Sequence, residues 1–179
     1  MTERAAVPTP GSVDAERFKA AFRHHAAGVA IVTAEVEGRP IALTASSVTS
    51  VSADPAVLLF SASMTTATGR MLASASSAVV HLLDADDLEL AVRCADPSSD
   101  RFGDETAWER LRTGEPAFLG PRVLLRGEVC ERLAFGEATV LVLAVTDVLD
   151  RRPAEERRAP PLAYVDRRWH SLGPASTIG

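Results

Sequence analysis

Thr44-Ala45-Ser46-Ser47-Val48-Thr49-Ser50-Val51-Ser52 is a run of small residues, six of the nine bearing a hydroxyl, followed after Ala53 by Asp54-Pro55. Val48 and Val51 interrupt the polar run, so it reads as a strand or strand edge and not as a linker. The residues alone leave two readings open. One is a solvated edge strand rich in Ser and Thr; the other is a firm backbone presenting hydroxyls and N–H groups to a phosphate or to the polar edge of a heterocycle. Upstream, Val29-Ala30-Ile31-Val32-Thr33 is a short β-branched run and Glu37-Gly38 is a turn signal. Extended character resumes over 41–52, so the two runs predict a hairpin. Downstream, Asp54-Pro55 predicts a turn that orients the next strand, Val57-Leu58-Leu59-Phe60.

The same pattern continues along the chain. A helix is expected from Ala15, capped near Asp14, with Phe18, Ala21 and Phe22 at helical spacing and an end near Gly28. The polar segment 61–66 leads into a second helix through Met71 and Leu72, and residues 79–83 read as strand. Residues 86–94 read as helix, and 96–104 as a polar loop carrying Arg101-Phe102. Long extended runs over 123–130 and 139–148 are joined through Phe135-Gly136-Glu137, and 162–165 with 169–172 are expected to close the sheet. Many strands, few helices and no βαβ alternation predict a mainly β, antiparallel barrel with peripheral helices. Residues 1–13 are expected to be a loose arm, 14–173 a single domain, and 174–179 a tail.

A chain of 179 residues suits one domain with a continuous core. Hydrophobic content of 46% with only 5% aromatic predicts a core of Val, Leu and Ala. The formal net charge of −5 argues against nucleic-acid binding, which needs a basic surface. Arg151-Arg152 and Arg157-Arg158 flank Glu155-Glu156 and read as a solvated loop. No run is long enough for a membrane span and the start of the chain is unlike a signal region, so a cytoplasmic protein is expected. Cys94 and Cys130 form no C-x-x-C unit, which predicts two buried, inert thiols and neither a disulfide nor a metal site.

Taken in order, these residues resemble the flavin reductase-like family, the short-chain NAD(P)H:flavin oxidoreductases that serve two-component flavin monooxygenases. The resemblance rests on Phe22-Arg23, Ala27-Gly28-Val29, Gly38-Arg39-Pro40, Thr44-Ala45-Ser46-Ser47, Ser50-Val51-Ser52 and Asp54-Pro55. Later landmarks are Leu82-Leu83, Arg101-Phe102, Trp108, Gly114-Glu115-Pro116, Cys130, Gly136, Pro161-Leu162-Ala163-Tyr164 and Trp169-His170; together they span 18–173. It implies an FMN-binding split β-barrel of Greek-key type, forming a homodimer, with FMN or FAD in a groove and NADH or NADPH as co-substrate. It further implies that Thr44, Ala45, Ser46, Ser47 and Val48 lie along the isoalloxazine and ribityl chain, that Ser63, Thr65 and Thr66 help hold the phosphate, and that Arg101 and Phe102 lie near the cofactor. The protein then positions and tunes, while the cofactor performs the redox step.

Three departures bear on that expectation. The family commonly has Gly-Asp-His where this chain has Gly136-Glu137-Ala138, an Asn where Ala62 is expected to stand, and a glycine at Ala42 or Leu43. They bear on nicotinamide use more than on flavin binding, and leave as alternatives a flavin-binding pathway protein that does not use nicotinamide, or a ligand- or partner-binding barrel without flavin. His170, in the terminal segment that approaches the active site in the family, is a candidate replacement for the missing imidazole. His81 is expected either to face the groove or to bond the backbone, His24 and His25 to be structural, and Tyr164 to be a packed ring with a hydrogen-bonded hydroxyl.

Overall fold

The computed structural model describes residues 13–151 and 159–178. In chain order the elements are α1 (Ala15–Arg23), β1 (Ala27–Gly28), β2 (Ala30–Val36), β3 (Arg39–Ala45), β4 (Thr49–Ala53), β5 (Ala56–Ser63), α2 (Ala67–Ser74), β6 (Ser77–Leu82), α3 (Leu88–Ala95), β7 (Trp108–Arg110), β8 (Pro116–Phe118), β9 (Val123–Phe135), β10 (Ala138–Asp150), β11 (Leu162–Val165) and β12 (Arg168–Ser171). Asp14 caps α1 by accepting from the Arg17 N–H at 3.2 Å. The helix stops at Arg23, short of Gly28, because Ala27 and Gly28 pair with Tyr164 and Ala163 as strand.

Glu37 and Gly38 make the expected two-residue hairpin turn, both at positive φ (53° and 77°), as a type I′ connection requires. Gly136 (φ 55°) and Glu137 connect β9 to β10 in the same two-residue span. The strands form one seven-stranded sheet in the order β3-β2-β6-β9-β10-β5-β4, every ladder antiparallel. Its two edges, β3 and β4, are consecutive in the chain and joined by residues 46–48 alone, so they converge at that end. No ladder joins them, and the expectation of a barrel closed by hydrogen bonding is corrected to an open sheet. The opening stretch is likewise not one strand: it ends β3, breaks over 46–48, and restarts as edge strand β4.

The C-terminal strands do not extend this sheet. β1, β11 and β12 form a separate three-stranded sheet with β11 in the middle, and β7 and β8 form a two-stranded one. Residues 174–176 of the expected tail make a short 3₁₀ turn. Of the expected arm only Val13 is described, and most of the Arg151 to Arg158 charge cluster lies outside the described residues.

Strand β2 is buried on both faces from Ala30 to Ala34 and divides two cores. One contains Ala30, Val32, Ala34, Phe60, Leu72, Val80, Leu141 and Leu143. The other packs Val29, Ile31, Ala42 and Leu83 against Ala91 and Cys94 of α3 and against Phe118. Small side chains predominate, as composition predicts, and they let α2 and α3 sit close against the sheet. A third device is polar. Burial pushes the Glu115 carboxyl up, but hydrogen bonds from Ser77, Thr113 and Arg126 outweigh that and hold it below its ordinary value. Arg126 continues the network to Glu128 (3.1 Å) and Thr146 (2.9 Å), tying loop 111–115 to β6, β9 and β10.

Candidate active site

At the end where the sheet edges converge, a cleft of about 630 Å³ opens between residues 43–47, the end of β5, the start of α2, loop 95–101 and the β9–β10 turn. Its volume is in the range typical of small-molecule sites, about 300–1,000 Å³. The structure brings Thr44, Ala45, Ser46, Ser47, Ser63, Thr66 and Arg101 together in its lining. Val48 lines a neighbouring cavity on the far side of Ser46 and Ser47. Thr65 and Phe102 line neither.

The hydroxyls divide by what they already hold. Thr44 donates to the Ala91 carbonyl of α3 at 2.6 Å, fixing the end of β3. Ser47 accepts from the Ser61 N–H at 3.0 Å, replacing the ladder partner that β5 lacks past Thr49. Ser46 is exposed, and its hydroxyl has no partner among the described residues, so it remains available to a ligand. Thr66 caps α2 by accepting from the Gly69 N–H at 3.0 Å, and the Ser63 and Thr65 hydroxyls bond each other at 2.8 Å. A Cβ on Gly69 would fall 1.9 Å from the Ser63 carbonyl oxygen, so the loop folds this tightly onto the helix only because residue 69 is glycine. The first turn of α2 thereby presents unpaired N–H groups and a partial positive charge to the cleft.

Arg101 supplies the full charge. Its guanidinium donates to the Ala42 carbonyl (2.9 Å), the Thr68 hydroxyl (3.1 Å) and the Asp96 carbonyl (3.0 Å), locking the loop to β3, α2 and the end of α3. It makes no ion pair with a described residue, and its Nε is buried without a partner. An arginine held by neutral acceptors keeps its charge for an anion. Phe102 turns the other way, stacked on Phe118 (5.3 Å, 11°) and edge-on to Trp108, and serves the second core.

Several expectations change here. Ala62 is fully buried in the first core and does not line the cleft. Ala138 does line the cleft, beside Glu137, so the missing imidazole is a real difference in the lining. His170 is exposed on β12 and lines neither cavity. His81 is fully buried: its Nδ1 lies 3.1 Å from the Ile31 carbonyl, and its Nε2 accepts from the Phe118 N–H at 3.1 Å. Burial lowers its pKa to about 4, so the ring is a neutral Nδ1–H tautomer. His24 caps α1, and His25 sits edge-on to Phe22 beside the second cavity. The Tyr164 ring packs on Trp169 at 4.7 Å, but its hydroxyl has no partner among the described residues. Of the two thiols, only Cys94 is buried; Cys130 is exposed. Among the described residues no cluster of His, Cys, Asp or Glu could hold a metal ion, and no helix is long and apolar enough to cross a membrane.

Sequence reasoning singled out the Glu137-Ala138 position but missed Thr68, Cys94, Ala95 and Pro97 as lining residues. Those four carry no motif or spacing that marks a ligand site.

Residues 22–173 match the flavin reductase like domain family. An NADH:FMN oxidoreductase of Rhodococcus erythropolis is 34% identical over 97% of this chain and 91% of its own length. An NADH:riboflavin 5′-phosphate oxidoreductase of Streptomyces pristinaespiralis is 29% identical over 94% of each. The crystal structure of a flavin reductase domain protein from Arthrobacter sp. FB24 superposes with a TM-score of 0.81 at 31% identity, over 89% of this chain and 96% of that one. With a match from Phe22 to Gly173 and relatives spanning nearly the whole chain, the protein belongs to the flavin reductase-like family.

Proposed function

We propose that this protein is an NAD(P)H:flavin oxidoreductase that reduces FMN or FAD and supplies the reduced flavin to a partner monooxygenase. The observation that carries the reading is the anion end of the cleft: Arg101, without a carboxylate partner, beside the first turn of α2. A flavin phosphate suits that end. The backbone over 44–47 and the Ser46 hydroxyl suit the polar edge of an isoalloxazine ring, so the residues present fit the group. When bound, the flavin supplies the hydride acceptor. The chain's own residues bind, orient and exclude water, and no side chain need shuttle a proton during hydride transfer, whose rate depends chiefly on positioning. The names of the relatives support the donor and acceptor classes.

The same reading takes 14–173 as one split-barrel domain, its split being the unpaired edges β3 and β4, and takes the working form as a homodimer in the cytoplasm, where the reduced dinucleotide is held. The test is oxidation of NADH and NADPH by purified protein with FMN or FAD. Loss of the reduced-nicotinamide absorbance well above the free-flavin background is expected, and none above background would overturn the proposal. A second reading, a flavin-binding pathway protein that does not use nicotinamide, is favoured by Ala138 alone. It predicts flavin binding without bleaching of the flavin's visible band when NAD(P)H is added.

A further inference from the structure

Arg101 brings a cation to the anion end of the cleft, but its hydrogen-bonding capacity is largely taken. A guanidinium has five N–H groups. Both on Nη1 are occupied, by the Ala42 carbonyl at 2.9 Å and the Thr68 hydroxyl at 3.1 Å, and one on Nη2 goes to the Asp96 carbonyl at 3.0 Å. Nε is buried. A ligand can therefore meet at most one N–H of this arginine, on Nη2, and the two-pronged fork by which arginine commonly grips a phosphate is closed off. Charge alone does not select the ligand either, because the Asp96 carboxylate lies within electrostatic reach of Arg101 and the exposed Glu137 also lines the cleft. A phosphate held at this end needs a second donor beside the guanidinium.

Thr68 has one to give. It is the second residue of α2 and lines the cleft together with Arg101. A hydroxyl carries one proton and two lone pairs. The guanidinium takes up a lone pair, and the proton has no acceptor among the described residues. A threonine inside a helix often returns its proton to the carbonyl four residues back, but that carbonyl, of Met64, accepts from Arg70 Nη1 at 3.0 Å instead. The Thr68 proton is left for the cleft, on an oxygen that the neighbouring cation polarises. We infer that Thr68 is the residue by which the cleft tells a phosphorylated flavin from riboflavin. Its hydroxyl fixes the Arg101 guanidinium by accepting from it and donates to the phosphate that Arg101 faces, so the two side chains together make the pair of donors that neither makes alone. This rests on the flavin reductase reading and deepens it, by naming the side chain that reads the phosphate.

Parallel fluorescence titrations with FMN and with riboflavin test the assignment without turnover, since the two ligands differ only in the phosphate. Wild-type protein is expected to bind FMN the more tightly. Thr68→Val removes the hydroxyl but keeps the β-branched shape and a similar helix propensity, so a melting temperature near wild type is expected. It should bind FMN about tenfold more weakly, the loss of one hydrogen bond to a charged group, with riboflavin affinity unchanged. Thr68→Ser, which keeps the hydroxyl, should restore FMN binding. A loss shared equally by FMN and riboflavin would make Thr68 a structural residue and overturn the inference. So would FMN binding that survives Thr68→Val, or that Thr68→Ser fails to restore. Wild-type protein that binds FMN and riboflavin equally well would also overturn it, while leaving the reductase reading untouched. The expected selectivity without NADH oxidation would sink the reductase reading and leave the role of Thr68 standing.

Discussion

Cys94 and Cys130 look alike in sequence, each between one apolar and one charged residue, and only the fold separates them. Cys94 sits on the inner face of α3, where burial pushes its thiol up to about 11, so almost no thiolate exists near neutrality even though the residue borders the cleft. Cys130 lies on the part of β9 that runs past its neighbour β6, exposed, with its Sγ 3.3 Å from the Val142 carbonyl. An aromatic disulfide reagent is therefore expected to label one thiol in the native protein and two after denaturation; labelling of both under native conditions would contradict the placement of Cys94. His81 was similarly open in sequence, since an imidazole in an apolar strand suits either a ligand or a backbone partner. The structure gives it two backbone partners, and a pH signature follows. Its folded pKa of about 4 lies below the ordinary 6.5, so the folded protein binds fewer protons than the unfolded chain between those values. Its contribution is complete above about pH 6.5 and is lost as pH falls toward 4, up to about 3 kcal/mol in all. Denaturant melts across that window should show the fall in wild type. In His81→Leu the slope should flatten, on a protein already destabilised by two unsatisfied backbone groups, by about 2–4 kcal/mol.

Among the elements, the segment from the end of β5 into α2 shows how far local reading reaches. A strand, a polar break and a helix were all legible from residues 57–72, because periodicity and the hydroxyl cluster mark them. The contact that holds the break against the helix was not, since it depends on Gly69 lying under the Ser63 carbonyl, an approach that no spacing rule encodes. Gly69→Ala separates the two effects. Helix propensity alone would favour alanine by about 1 kcal/mol, but the added Cβ would sit 1.9 Å from the Ser63 oxygen. The 63–66 loop is expected to be pushed off the helix, with flavin affinity falling by about tenfold or more (equivalent to about 1.4 kcal/mol) as measured by fluorescence quenching. Unchanged affinity would place the phosphate elsewhere. The hairpin turn at Glu37 and Gly38 is the opposite case, fully legible from the Glu-Gly pair. Because Glu37 holds a φ of 53°, Glu37→Asn is expected to raise the melting temperature, by roughly 0.5–1 kcal/mol of stability.

For the whole molecule, the antiparallel, helix-poor architecture follows from the run of short strands and turn residues, and most strand positions came from the sequence. Strand order did not, because residues 162–172 carry the same alternation whether they extend the main sheet or pair with Ala27 and Gly28. Only the position of β1 decides it, and a two-residue strand leaves no periodic signal. The arrangement also leaves apolar surface on an element that should be interior. β9 is the middle strand of seven, yet past Glu128 it pairs only with β10, and Leu133 and Phe135 on this projecting arm stand 44% and 41% exposed. Edge strand β4 adds Val51 at 55%. A free edge with exposed apolar side chains invites pairing unless it is covered. A second copy of the chain is the simplest cover, and it is the homodimer proposed above. Sedimentation equilibrium should therefore give a mass of twice 19.0 kDa at micromolar concentration. Leu133→Asp with Phe135→Asp, charges placed on that arm alone, should shift the mass toward the monomer. A double variant that remains fully dimeric would move the interface to another face of the sheet, and a wild-type monomer would remove the homodimer from the proposal altogether.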